Sequence, residues 1–165
     1  PLMRIGVTGH RFYEDRVGTQ AAVEDVLRRV VARAANGVEV VSALAEGADR
    51  LVAERAMDGH GARLAVILPL EPTDFRADFA SPESRAAFDE LLGRAVEVTV
   101  VPPQPSRRHA YEAAGLAMVD ASDVVIAVWD GEPSRGRGGV AAVVRYAVEH
   151  DVPVEVVLVQ RGEEP

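Results

Sequence analysis

Short apolar runs alternate with longer amphipathic stretches along almost the whole chain, and this rhythm confines the fold more tightly than any single motif. Met3 to Thr8 is a mostly apolar run ending at Gly9, the pattern of a buried parallel strand entering a tight turn. From Thr19 to Ala35 the residues Ala22, Val23, Val26, Leu27, Val30 and Val31 recur at helical spacing, and Asn36-Gly37 supplies a left-handed stop. Val38 to Ala43 is a second strand, and a helix from about Ala48 to Met57 closes at Gly59 and Gly61. Leu64 to Leu68 is a third strand. Residues 71–82 then read as an excursion over the strand ends, a candidate lid, before a helix over Glu83 to Gly93. Val96 to Val101, a proline-rich loop, a helix over Ala110 to Ala121 and the apolar strand Val124 to Trp129 follow. Residues 130–139 lead into a helix from Val140 to Glu149. A last strand spans Val152 to Val159, ahead of a charged tail expected to fray.

Six strands alternating with helices predict a single doubly wound, Rossmann-like α/β domain over residues 1–165. Its six-stranded sheet should be mostly parallel, with helices on both faces. A chain of 165 residues, 48% of them hydrophobic, buries one full core without needing a second domain. Sheets of this kind take ligands beyond the carboxyl ends of their strands, where strand order reverses.

Composition removes several function classes. Without cysteine there is no disulfide, thiolate catalysis or thiolate metal ligand, which fits a reducing, cytoplasmic setting. All 18 basic residues are arginine, so Schiff-base chemistry and a Walker-type phosphate lysine are absent. Arginine still serves bidentate phosphate recognition. The net charge of −8 argues against a nucleic-acid partner, and the lack of a long apolar run argues against a membrane. The histidines form no metal-ligand spacing, so neither a metal nor a cofactor is expected.

The segments after the strands carry the candidate site. In 130–139 (DGEPSRGRGG) the glycines let backbone N–H groups approach an anion at a helix start, with Arg135 and Arg137 as clamps and Gly138-Gly139 as the phosphate loop. After the second strand come Ser42, Glu46, Gly47 and Asp49. There Glu46 is expected to face the crevice and accept sugar hydroxyls, and Gly47 to let the ligand lie close to the backbone. Asp49 reads equally as a helix cap. Asp130, before Gly131, is a turn former or a carboxylate facing a ribose. Gly9, His10 and Arg11 bring a close backbone, a proton donor and a guanidinium over the same place. Trp129 and Tyr111 are either stacking faces or core.

The segments TGHR, SALAEGADRLVAE, LPLEPTDFRADF and DVVIAVWDGEPSRGRGG, in that order, resemble the SLOG superfamily over nearly the whole chain. That Rossmann-like group includes the Lonely Guy phosphoribohydrolases and the DNA-processing protein A fold. The resemblance implies a nucleotide or nucleotide-derived ligand that is bound or sensed, and a homodimer formed through helices flanking the sheet. The alternative it implies is hydrolysis of the N-glycosidic bond of a nucleoside monophosphate. The phosphoribohydrolases carry Pro-Gly-Gly-x-Gly-Thr-x-x-Glu, and nearer relatives read Gly-Gly-Thr-Ala-Glu. Here Val140 and Ala142 stand where Thr and Glu are expected. Cleavage would then fall to Glu46 or Asp130, following the two-carboxylate logic of glycosidases.

Overall fold

The computed structural model describes residues 1–134 and 139–164. The six strands are β1 (Met3–Gly9), β2 (Val38–Ser42), β3 (Arg63–Leu68), β4 (Glu97–Val100), β5 (Val124–Trp129) and β6 (Val154–Leu158). They form one sheet in the order β4-β3-β2-β1-β5-β6, and every pairing is parallel. The helices are α1 (Arg16–Val31), α2 (Ala48–His60), α3 (Pro72–Arg76), α4 (Pro82–Gly93), α5 (Arg107–Asp120) and α6 (Gly139–Glu149). The doubly wound α/β expectation holds, and the sheet is entirely parallel.

Side-chain alternation divides the core between the two faces. Ile5, Val7, Val40, Leu64, Val66, Ile126 and Val128 point to one face, where they meet Val23, Leu27 and Val30 of α1, Val52 and Ala56 of α2 and Phe88 and Leu91 of α4. Val41, Ala65 and Val125 point to the other, against Met118 and Val119 of α5 and Val143 and Ala147 of α6. The chain builds outward from β1 through β2 and β3 to β4. It then returns along α5 to place β5 on the far side of β1. Right-handed crossovers require helices to change faces when the direction of travel reverses. The reversal falls between β1 and β5, so their carboxyl ends splay around a crevice.

Three expectations change. α1 starts at Arg16 rather than Thr19, because the Asp15 carboxylate caps it by accepting from the Gly18 N–H at 3.0 Å. The excursion is not a free lid: α3 and the turn after it form a wall. Phe75, Phe79 and Phe88 stack edge to face or tilted, at centroid distances of 5.0 to 5.7 Å. Arg107 clamps the same segment through Asp74 and Asp78 at 2.8 and 2.7 Å. The charged tail does not fray before Glu163: Gln160 accepts from the Glu14 N–H, Arg161 bridges Tyr13, and the Gly162 N–H donates to the Phe12 carbonyl. The apolar stripe of α1 packs on the chain's own sheet. Among the described residues, no helix is long and apolar enough to cross a membrane.

Candidate functional site

Two cavities open at the carboxyl ends of β1 and β5. One, about 640 Å³, is lined by Gly9, His10, Arg11, Arg108, Trp129 and Ser134, the first turn of α6 from Gly139 to Ala141, and the tail residues Arg161 to Glu164. The second, about 390 Å³, is mainly apolar: Val7, Ala43, Ala45, Phe75, Phe79, Tyr111, Met118 and Val143 line it, with Asp49 and Asp78 among them. Gly9, Arg11, Arg108, Gly139 and Val140 belong to both, so the two compartments are continuous.

Gly9 is fixed by packing. A Cβ there would stand 2.4 Å from the Ala48 Cβ and 2.8 Å from the Val128 carbonyl oxygen, so only glycine lets β1 close against α2 and β5. His10 is 8% exposed, and its Nε2 accepts from the Asp130 N–H at 3.1 Å. The same nitrogen lies 3.3 Å from Asp130 Oδ1, which it would meet as a cation if protonated. The ring therefore ties the end of β1 to the end of β5. Asp130 Oδ1 also accepts from the Glu132 N–H at 3.0 Å, closing an Asx turn over Gly131 at φ 81°. Burial draws the Asp130 pKa upward, but the Glu132 N–H, the His10 ring and the charge of Arg161 outweigh it and hold the carboxyl below its ordinary range. Asp130 lines neither cavity.

The segment after β2 departs from its expected role. Ser42, fully buried, donates to the Asp49 carbonyl and accepts from the Leu44 N–H. Glu46 is held at both oxygens, by Arg11 at 3.2 Å and by the Ser84 hydroxyl at 2.7 Å, and it lines neither cavity. Gly47 has φ 81°, and a Cβ there would fall 2.3 Å from the Arg11 carbonyl oxygen. The backbone that comes close is therefore the chain's own rather than a ligand's. The Ala48 N–H at the start of α2 donates to the His10 carbonyl, so residues 10 and 11 occupy that helix end. Asp49 is not the N-cap. Its Oδ2 accepts from the Ala45 N–H at 3.3 Å, and burial pushes its pKa up to about 7.

Of the proposed phosphate loop, Arg135, Arg137 and Gly138 lie outside the described residues. Gly139, at φ 71°, opens α6 on the rim of both cavities. Trp129 walls the polar cavity and donates to the Glu132 carbonyl; Tyr111 walls the apolar one, edge to face with Phe75 at 5.9 Å.

Sequence reasoning passed over Arg108 and Arg161. Both are exposed cavity residues, and neither side chain has an ion pair or hydrogen bond among the described residues. Arg108 carried a usable signal. Paired arginines in the first turn of a helix oppose its dipole, so each needs a reason to be there. Arg107 has Asp74 and Asp78; Arg108 has no such partner among the described residues and borders the crevice. Arg161 reaches the site because the tail pairs with residues 12–14, a long-range contact with no local pattern. No group of three potential ligand side chains forms a metal site among the described residues.

No protein-family model matches the sequence, and no curated protein matches it. Solved structures do match in shape. DNA-processing protein A from Helicobacter pylori superposes with a TM-score of 0.63 at 19% identity, over 93% of this chain and 64% of that one. The fold is SLOG-like. The structural-genomics target TM1055 shares the SLOG-like fold, with a TM-score of 0.57 at 14% identity, over 93% of this chain and 72% of that one. The chain thus spans slightly under two thirds of DNA-processing protein A, a protein that binds single-stranded DNA. A blanket exclusion of nucleic acid on net charge does not fit that neighbour. Arg11, Arg108 and Arg161 do gather at one edge, but Glu132, Glu163 and Glu164 line the same cavity and Arg11 is paired with Glu46 and Glu164, so charge alone does not make that edge a nucleic-acid surface.

Proposed function

We propose that the chain binds a nucleotide or nucleotide-derived phosphate ligand across the two joined cavities. The phosphate occupies the polar compartment, against the first turn of α6 and the guanidinium of Arg108, and the ring system occupies the apolar compartment beside Tyr111 and Phe75. One observation carries this reading: a cation-bearing cavity and an aromatic-lined cavity meet at the β1/β5 reversal and share Arg108. Volumes of roughly 300–1,000 Å³ are usual for small-ligand sites, and both cavities lie in that range. A helix start and an unpaired arginine suit an anion, while the apolar lining suits a flat heterocycle.

Binding is favoured over N-glycosidic cleavage because the two carboxylates nominated for cleavage have other partners. Glu46 joins Arg11 to Ser84, and Asp130 closes its own turn. Val140 and Ala142 also replace the hydroxyl and carboxylate of the phosphoribohydrolase signature.

A thermal-shift screen of nucleoside mono- and diphosphates, cyclic nucleotides, ribose 5-phosphate and an oligothymidylate tests the reading, since a ligand specific to the folded state raises Tm by mass action. The expected result is a rise with a mononucleotide that is absent in Arg108→Ala, with the nucleotide recovered intact. Release of free base would instead support the hydrolase, and a response to the oligonucleotide alone would point to a single-strand binder. Silence from every phosphate at millimolar concentration would sink the proposal.

A further inference from the structure

We propose that Asp49 is the ring-recognising residue of the site: its carboxyl group donates a hydrogen bond from Oδ1 to an unprotonated ring nitrogen of a heterocycle in the apolar cavity. This rests on the reading of the crevice as a nucleotide site and adds the chemistry by which the ring is chosen.

The geometry assigns the two oxygens of Asp49 different tasks. Oδ2 accepts from the Ala45 N–H at 3.3 Å, the task of a carbonyl oxygen. Oδ1 has no hydrogen bond among the described residues. It is also not sealed in protein, because Arg50 Nη2 is the only fully enclosed side-chain polar atom there without a partner. Asp49 is 8% exposed and lines the apolar cavity, and the proposal turns Oδ1 toward it. An ion facing Val7, Ala43, Ala45 and Phe79 is poorly solvated, and burial accordingly raises its pKa to about 7. With Oδ2 engaged as acceptor, the proton resides on Oδ1, aimed at the volume in which a ring would lie. A neutral acid in an apolar wall offers a donor to a ring nitrogen without an uncompensated charge.

Other charged groups surround this carboxyl. Arg50 is its neighbour on α2, and its attraction opposes the rise. Arg11 from the β1–α1 loop, Asp78 from the α3–α4 wall and Arg108 and Glu112 from α5 border the same cavity. His10 lies across Gly9, on the polar side. A test must therefore separate Asp49 from all of these and from the ligand's own phosphate.

The experiment measures Kd for AMP and for ribose 5-phosphate by calorimetry at pH 6, 7 and 8, with wild type and Asp49→Asn. An asparagine keeps an acceptor for the Ala45 N–H and a donor at the Oδ1 position, and it does not titrate. The ring nitrogens of AMP stay unprotonated across this range. If only the protonated acid binds the ring, wild-type affinity for AMP relative to ribose 5-phosphate falls about tenfold from pH 6 to pH 8, the loss expected for a donor with pKa about 7. In Asp49→Asn the ratio stays constant. A wild-type ratio that does not move, or an equal fall in the variant, overturns the inference while leaving the phosphate site standing, as does AMP binding no tighter than ribose 5-phosphate. Failure of both compounds to bind removes the nucleotide reading itself. Should the variant not fold, the wild-type ratio alone decides.

Discussion

Asp49 makes the folded protein itself sensitive to pH. An acid whose pKa is raised on folding binds its proton more tightly in the native state. Its contribution is fully present below the unfolded value near 4 and is lost as pH climbs through about 7. A rise from 3.8 to about 7 corresponds to roughly 4 kcal/mol, an upper figure because local opening lets water reach the ion. Unfolding by urea should therefore show the protein more stable at pH 5.5 than at pH 8. In Asp49→Asn most of that difference should disappear. Arg108 has the opposite character under the proposed function, in which it serves the ligand rather than the fold. Arg108→Ala breaks no ion pair or hydrogen bond among the described residues, so stability should move by less than about 0.5 kcal/mol while binding of any phosphate ligand is lost. Arg107→Ala, which breaks exposed pairs to Asp74 and Asp78, should leave binding intact and cost about 1 kcal/mol or less.

At the scale of elements, two helix starts face the same edge and do different things. The start of α2 is filled by the chain itself: the Ala48 N–H meets the His10 carbonyl, and Gly47 clears the Arg11 backbone. Gly47→Ala should be severely destabilising, by about 3 kcal/mol or more, because the left-handed φ and a contact with backbone cannot both relax; equilibrium denaturation would measure it. The start of α6 instead borders both cavities. The α3–α4 wall depends on a few aromatic rings, and Phe88→Ala, at a fully buried position, should cost about 3–5 kcal/mol. The strands and five of the six helices, all but α3, were legible in the sequence, because parallel strands buried on both faces and amphipathic helices have distinct patterns. The roles of Ser42, Glu46 and Gly47 were not. A glycine in a loop reads the same whether it clears a ligand or its own chain, and a glutamate does not announce that an arginine 35 residues away and a serine 38 residues away will hold it. Asp49 stands out in the sequence as a candidate, but its carboxyl serves the Ala45 N–H and the cavity rather than capping the helix.

At the scale of the molecule, strand order makes the site. Because β5 returns to the far side of β1, the ends of β1, β5, α5 and α6 and the tail after β6 converge, although they are spread over most of the sequence. The doubly wound class follows from the strand–helix rhythm, and with it the carboxyl edge as the place to look. Arg161 lay beyond that logic, since a tail pairing with residues 12–14 depends on tertiary contact alone. The wall of aromatic rings and the edge of arginines become one compartment only in the folded chain.

The most direct measurement is a crystal structure of the protein soaked with AMP. One molecule is expected in the crevice, with its phosphate at the first turn of α6 within hydrogen-bond reach of Arg108, and its ring in the apolar cavity with a ring nitrogen within about 3 Å of Asp49 Oδ1. Ligand bound away from the β1/β5 reversal would overturn the proposed site, as would a phosphate in the apolar compartment or an empty crevice at saturating concentration.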